Sequence, residues 1–208
     1  MASVTKTYTI TTPEGGSGNT SLTIKAKTAN LGNRVAQTDT YTVTATGVTP
    51  NKTYTATLQA ATEFVRFDEG AEISVVKAGG NVTITGTSNS SKLTFTKGSG
   101  SVVTADISAI KYTAGGVQTT NGVAITGDPG AKAKYAFTLT LTAAANSTTS
   151  ERTQQITVTA NGAQVATITL KQAAGDAYIN LSETSIEVPQ DGPEVTVNVT
   201  TNTTFTVS

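Results

Sequence analysis

The sequence predicts an all-β protein, on three observations. Thr supplies about one residue in five of the 208, and with Val and Ile it dominates the runs between turns. Such β-branched residues favour a pleated strand over a helix. Apolar and polar residues alternate along these runs, and clusters of Gly, Asn and Pro separate them. This is the pattern of antiparallel sheets that are packed on one face and wet on the other.

The individual strands follow from the alternation. Each predicted strand places apolar side chains on one face and mostly Thr on the other. The predicted strands span residues 6–11, 21–26, 40–45, 53–59, 81–85, 135–142, 155–160, 165–170 and 194–200. Strands of this kind are typical of β-sandwiches, in which one face of each sheet is buried.

Turn chemistry separates the strands. Asn161-Gly162 stands between two alternating runs, and this pair predicts a tight hairpin because both residues accept positive φ. The stretch 141–150 contains three consecutive Ala residues but ends in Asn-Ser-Thr-Thr-Ser. We therefore predict a loop there and not a helix.

The composition excludes most catalytic chemistry. The chain contains no Cys and no His, so it lacks a thiolate nucleophile, an imidazole base and the usual nitrogen and sulfur ligands of zinc. Acidic residues cluster at 68–72 and at 187–194. Neither cluster has the regular oxygen spacing of a calcium loop, and both are interpreted as solvated turn acids. We expect a protein that is not an enzyme and that holds no metal and no cofactor.

The charges exclude two further classes of partner. The 14 basic and 14 acidic residues cancel, so no chain-wide positive field attracts nucleic acid or an anionic membrane. The sequence contains no apolar run long enough to span a bilayer, and its first residues do not form a secretory signal. We expect no nucleic acid partner, no membrane, and synthesis in the cytoplasm without a signal peptide.

The most informative feature is internal repetition at a spacing of 113 residues. Gln-Ala-Ala at 59–61 recurs at 172–174, and the strand at 80–89 recurs at 193–202. A sequence rich in Thr and Val repeats short motifs by chance. One spacing shared by several elements argues against chance and for a repeated structural unit.

The repeat divides the chain. Upstream elements match at spacings of 115 to 118, as 22–24 matches 137–139. Residues 1–62 are therefore predicted to be the second half of a sandwich, 63–174 a complete domain, and 175–208 the first half of another sandwich.

Two half domains pose a physical problem, because an incomplete sandwich exposes strand edges and an apolar face. The end segments together supply about eight strands, enough for one sandwich. We favour closure within one chain over exchange with a neighbouring chain, and a third alternative is that the chain is a fragment of a longer protein. The predicted strand-pairing residues are Tyr8, Ile10, Val195, Val197, Val199, Phe205 and Val207.

Two sets of motifs resemble a known family. Between Asn146 and Ala173 the chain reads Arg-Thr-x-x-Ile-Thr-Val-Thr-Ala, a hairpin, and Ala-Thr-Ile-Thr-Leu-Lys-Gln-Ala. After Ile179-Asn-Leu181 it reads Val-x-Val-x-Thr-Asn before Phe205. These motifs resemble the end and the start of a BACON-type immunoglobulin-like domain. The resemblance implies two immunoglobulin-like sandwiches, the second formed from the N- and C-terminal segments by permutation or completed by a neighbouring chain.

The resemblance also implies a function. Members of that family are found in surface glycan-handling proteins of Bacteroidetes, and related modules are found in structural proteins of the phages that infect them. We expect a non-enzymatic auxiliary or decoration protein of a phage head. Located on the virion, it would bind the major capsid protein or other virion proteins, stabilise the shell or display its domains, and self-associate where strands are exchanged.

Two alternatives remain open. One is a carbohydrate-binding module, which would use exposed aromatic rings. The phase of Tyr112 and Tyr178 in the strand pattern is the least certain among the aromatic residues, so they are the candidate glycan contacts. The other alternative is a head-fibre or surface-filament subunit that donates a strand to its neighbour.

Overall fold

The structure is a computed structural model, and it describes residues 8–11, 21, 23–26, 32–162 and 164–208. Within these ranges the chain is all-β, as predicted, with several separate sheets. Parts of two predicted strands, residues 6–7 and 22, lie outside the described residues. None of the helical segments that the structure describes is long and apolar enough to cross a membrane.

The strands fall into three groups along the chain. The first group is β1 (Tyr8–Thr11), β2 (Thr23–Ala26), β3 (Gln37–Val43) and β4 (Lys52–Leu58). The second is β5 (Val65–Phe67), β6 (Glu72–Val75), β7 (Gly80–Ser88), β8 (Leu93–Lys97), β9 (Lys111–Ala114), β10 (Val117–Thr120), β11 (Tyr135–Ala143), β12 (Arg152–Ala160) and β13 (Val165–Gln172). The third is β14 (Ile179–Leu181) and β15 (Val199–Thr201).

The second group forms two sheets, and we call this part the central unit. One sheet has the strand order β10-β9-β11-β7-β5 and the other the order β6-β13-β12-β8. All ladders are antiparallel except that of β6 with β13. The buried apolar residues of both sheets form one cluster, which is the layered arrangement of a β-sandwich.

Alternation explains this core. In β11 every second residue from Tyr135 to Ala143 is buried, and β12 and β7 show the same period. The ring of Phe137 lies at the centre, edge-on to Phe67 at 6.0 Å and to Phe95 at 5.7 Å between ring centroids. Such edge-to-face contacts add to the free energy of apolar burial.

The predicted turns are confirmed at two places. Asn161-Gly162 joins β12 to β13, and the Ala160 N–H donates to the Gln164 carbonyl at 2.8 Å. β11 ends at Ala143, and the residues that follow form a loop. Helical structure in the described part of the chain is confined to one 3₁₀ turn at Pro129–Ala131.

The end segments form two-stranded ladders. β1 pairs with β2, β3 with β4, and β14 with β15. Among the described residues no ladder joins 1–62 to 175–208. The completion of one sandwich by these two segments therefore stays a prediction.

The predicted strand over 194–200 is shorter than expected. β15 spans only Val199–Thr201, because its partner β14 is itself only three residues long. The Val195 and Val197 positions precede the ladder and carry no strand assignment.

Candidate assembly surface

The β14–β15 ladder reproduces the β5–β7 ladder of the central unit. The pair Val65 and Ser88 corresponds to the pair Ile179 and Thr201. The other two residue pairs of each ladder follow in the same register. Position by position, β14 follows β5 by 114 residues and β15 follows β7 by 113. The repeat seen in the sequence is thus also a repeat of backbone pairing.

One amide side chain fixes this ladder in the central unit. The Oδ1 atom of Asn89 accepts a hydrogen bond from the Phe64 N–H at 2.9 Å. Its Nδ2 atom donates to the Thr62 and Gly32 carbonyls, both at 3.0 Å. Asn89 is fully buried, so these bonds satisfy the polar atoms of an amide that water does not reach.

Asn202 makes the same three bonds in the C-terminal ladder. Its Oδ1 atom accepts from the Tyr178 N–H at 3.0 Å. Its Nδ2 atom donates to the Asp176 carbonyl at 2.9 Å and to the Ser147 carbonyl at 2.8 Å. The adjacent hydroxyl also repeats, since Thr201 donates to the Tyr178 carbonyl at 2.6 Å as Ser88 donates to that of Phe64.

The two ladders differ in burial. Val65 and Phe67 are each 8% exposed, whereas Ile179 and Leu181, their counterparts, are 54% and 50% exposed. In the central unit β11 and the second sheet cover the ladder. We call the uncovered residues of 175–208 the C-terminal apolar face. Its exposed members are Tyr178, Ile179, Leu181, Val188, Val195, Phe205 and Val207.

A groove opens on this face. It has a volume of about 270 Å³ and lies between β14 and the residues after β15. The rings of Tyr178 and Phe205 line it together with Ile179 and Thr203. We call it the Tyr178–Phe205 groove.

The predicted strand-pairing residues lie in both end segments. Tyr8 and Ile10 belong to β1, opposite Ala26 and Ile24, and their side chains lie outside the described residues. In the C-terminal segment Val195 and Val207 are exposed, and Phe205 lines the groove. Val197 and Val199 are half-buried. Three of the five C-terminal members are therefore exposed and two are half-buried, and their partner strand stays a prediction.

The two candidate glycan contacts have different surroundings. Tyr178 is exposed in the groove. Tyr112 is buried, with its ring edge-on to Phe95 at 5.0 Å, and this burial raises the pKa of its hydroxyl. Tyr112 belongs to the buried face of β9 and to the core cluster, so it offers no ring face to a sugar.

The end segments are fixed to opposite ends of the central unit. The guanidinium of Arg34 forms an ion pair with Asp128 and donates to the Asn89 carbonyl at 3.3 Å. The hydrogen bond with Asp128 raises the pKa of Arg34. At the other end the Lys77 ammonium lies 2.5 Å from the Asp176 carboxylate. β7 spans nine residues between these ends, so they are roughly 26 Å apart at about 3.3 Å per residue.

The acidic cluster at 68–72 has a structural role. The Glu69 carboxylate accepts hydrogen bonds from the N–H and the hydroxyl of Thr85, both at 2.6 Å. Asp68 accepts from the Thr87 hydroxyl at 3.2 Å. Within the described ranges no three acidic side chains come together as a metal site.

Comparison with protein-family models and with curated proteins gave no match to the chain. The similarity that bears on this surface lies within the chain, between the β5–β7 ladder of the central unit and the β14–β15 ladder.

Proposed function

We propose that the chain is a non-enzymatic structural protein built from immunoglobulin-like β-sandwich units, in which 1–62 and 175–208 are half units that need covering. One observation carries the proposal. β14–β15 has the register and the amide bonds of β5–β7, but no further strand of the described part of the chain joins its sheet, and its apolar residues are exposed. A protein that presents an ordered, uncovered apolar face is suited to assembly.

The buried polar groups of the central unit support a structural role. Asn121 accepts the Phe95 N–H at 2.7 Å and donates to the Phe95 and Ile107 carbonyls, both at 2.8 Å. Gln172 donates to the Ala144 carbonyl at 2.7 Å. These side chains bind backbone groups of the edge strand β8 and of two loops, which makes a rigid unit.

We further propose that this structural role is exercised on a phage head, as an auxiliary or decoration protein that binds the major capsid protein. The support is the resemblance of residues 146–205 to BACON-type domains. A rigid sandwich without Cys is also indifferent to the change from reducing cytoplasm to the oxidising exterior.

Purified particles test the setting. We expect the chain to co-sediment with particles at a fixed ratio to the major capsid protein, measured by quantitative mass spectrometry. A ratio that varies between preparations, or complete loss on gradient purification, would contradict this role.

A second candidate function is carbohydrate binding, which the Tyr178–Phe205 groove favours. Two aromatic rings line an open groove whose rim carries Thr hydroxyls, and sugars pack on such rings. We expect Tyr178→Ala to abolish retention in an affinity gel if sugars bind there. Val188→Ala changes an exposed apolar residue outside the groove lining and serves as the control. Equal retention of both variants would exclude the groove as the site.

A further inference from the structure

We propose that residues 1–62 of a second copy of this chain cover the C-terminal apolar face, so that copies join head to tail. The inference rests on the structural role proposed above and names the partner for it. The partner half is identified by strand pairing, by side-chain size and by charge.

Strand pairing identifies the covering strand. In the central unit β11 pairs with β9 on one edge and with β7 on the other. In the N-terminal segment β2 pairs with β1, and residues 22–24 match residues 137–139 of β11 in the repeat. Among the described residues the second edge of β2 has no partner strand. β2 is thus the counterpart of β11, and β15 is the counterpart of β7.

The repeat also gives the register of the new ladder. Thr138 of β11 lies opposite Thr85 of β7. In the repeat Thr23 precedes Thr138 by 115 residues, and Asn198 follows Thr85 by 113. The equivalent pair is therefore Thr23 opposite Asn198. The same register sets Ile24, which is exposed, opposite Val197.

The sizes of one pair of facing side chains differ between the central unit and the proposed ladder, and the two differences compensate. Gly86 lies opposite Phe137 in the central unit, and a Cβ atom at Gly86 would collide with the Phe137 ring. The C-terminal segment carries Val199 in place of Gly86. The sequence carries the smaller Leu22, outside the described residues, in place of Phe137. The larger residue on one partner is therefore matched by a smaller one on the other, which keeps the packed volume similar.

The charges of the two halves are complementary. Residues 1–62 contain five basic and two acidic residues, whereas residues 175–208 contain five acidic and no basic residues. Their net charges are therefore +3 and −5, although the whole chain is neutral. Opposite charges steer the two halves together and disfavour contact between two C-terminal faces.

The placement of the halves favours a second copy over closure within one chain. Arg34 fixes the N-terminal segment beside Asp128, and Asp176 fixes the C-terminal segment beside Lys77. These contacts lie at the two ends of β7, roughly 26 Å apart at about 3.3 Å per residue. Pairing between neighbouring copies leaves both contacts intact.

Engineered cysteines test the register directly, because the chain has no Cys of its own. Thr23→Cys and Asn198→Cys introduced together place two exposed side chains opposite each other at a separation that a disulfide spans. We expect a ladder of linked multimers on non-reducing gels that collapses to monomer with reductant. A disulfide within one chain, seen as a faster-migrating monomer, would overturn the inference, and so would free thiols.

The repeat supplies a matched control. Thr138 is the counterpart of Thr23, but both of its neighbouring strands are already in place. Thr138→Cys with Asn198→Cys should therefore form no ladder. Two single variants, Thr23→Cys and Asn198→Cys, should form one linked dimer when mixed and no longer species. A ladder from the control pair would show non-specific contact and overturn the register.

The unmodified chain supplies a second measurement. Its mean mass in sedimentation velocity should rise with concentration, and association should weaken several-fold between low and high salt because the attraction is screened. Ile24→Lys should abolish association and leave the far-UV spectrum unchanged. Monomer at every concentration would overturn the head-to-tail inference. It would leave the structural role intact if the chain still co-sediments with particles at a fixed ratio.

Discussion

Asn89 and Asn202 make the same set of three hydrogen bonds, so the contribution of that set to the free energy of unfolding can be measured at two sites that differ in burial. Asn89→Ala removes three hydrogen bonds, to Phe64, Thr62 and Gly32, from a fully buried site. At about 1 kcal/mol for each net bond, the free energy of unfolding should fall by about 3 kcal/mol. The loss is larger than at an exposed site because these bonds are part-buried, so water replaces them only in part.

Asn202→Ala removes the equivalent bonds, which are exposed to solvent although Asn202 itself is half-buried. The freed groups of Tyr178, Asp176 and Ser147 can bond to water instead, so we expect a loss below about 1 kcal/mol in the unassembled chain. Urea unfolding followed by tyrosine fluorescence and far-UV circular dichroism measures both variants at equal m-value. Equal losses, or a larger loss for Asn202→Ala, would refute the argument that burial decides the strength of this bond set.

The control for both variants is Asn81→Ala. Asn81 lies on β7, the strand that ends one residue before Asn89, but it is exposed, and it accepts a hydrogen bond from the Thr142 hydroxyl at 3.3 Å. We expect a change within about 0.5 kcal/mol. A larger change would mean that the strand itself responds to any substitution.

Three further predictions concern the central unit. Phe137→Ala should lower the free energy of unfolding by about 3–5 kcal/mol, measured by urea, whereas Phe205→Ala should not change it in the unassembled chain. Gly86→Ala should lower the melting temperature, because its Cβ collides with the Phe137 ring, and an unchanged value would contradict that packing. Burial raises the pKa of both Tyr112 and Tyr135. The unfolded hydroxyls ionise near pH 10, so stability is complete below that pH and falls above it. Tyr135→Phe should reduce the loss of stability between neutral and alkaline pH, measured by urea unfolding at each pH. An unaltered pH dependence would contradict the contribution of the Tyr135 hydroxyl.

The strands that carry the core could be predicted from the sequence. β7, β11, β12 and β13 each place every second residue in the core, so their period of two is written in the order of residues. Asn161-Gly162 was readable as a hairpin because this pair between two alternating runs is a local signal, although neither residue adopts a positive φ. The alternation of the strands and the Asn-Gly turn are both properties of residues close together in the sequence, and neither needs a tertiary contact.

The segment between β8 and β9 could not be predicted. Val102, Val103 and Ile107 are buried in the core although they lie outside any strand. The Val103 N–H donates to Gln154 at 2.7 Å, and the Lys97 ammonium binds the Val103 carbonyl at 2.9 Å. The Gln154 contact joins residues 51 apart in the sequence, so no periodic pattern marks it.

The candidate surface was predictable only in part. The repeat pointed to Asn89 and Asn202 as equivalent positions, but their role depends on the carbonyls of Gly32 and Ser147. Those partners come from the segment that precedes each ladder in the repeat. The burial of Tyr112 depends on the packing of the two sheets, since its ring contacts Phe95 of the other sheet.

In the C-terminal segment the hydrogen bonds of Asn202 and the burial of apolar side chains contribute in different ways. The amide bonds of Asn202 set the geometry of β14–β15, but a ladder of three residue pairs is marginal by itself. Ile179, Leu181 and Phe205 are already about half covered, so covering the rest would contribute roughly 2–5 kcal/mol, at half of the usual value of about 1.5–3 kcal/mol for each side chain. Association costs about 4–15 kcal/mol in lost freedom, so β2 alone gives too little contact. The covering half must therefore include β3 and β4, whose stacked Tyr41 and Tyr54 rings stand where Ile156 and Ile168 pair in the central unit.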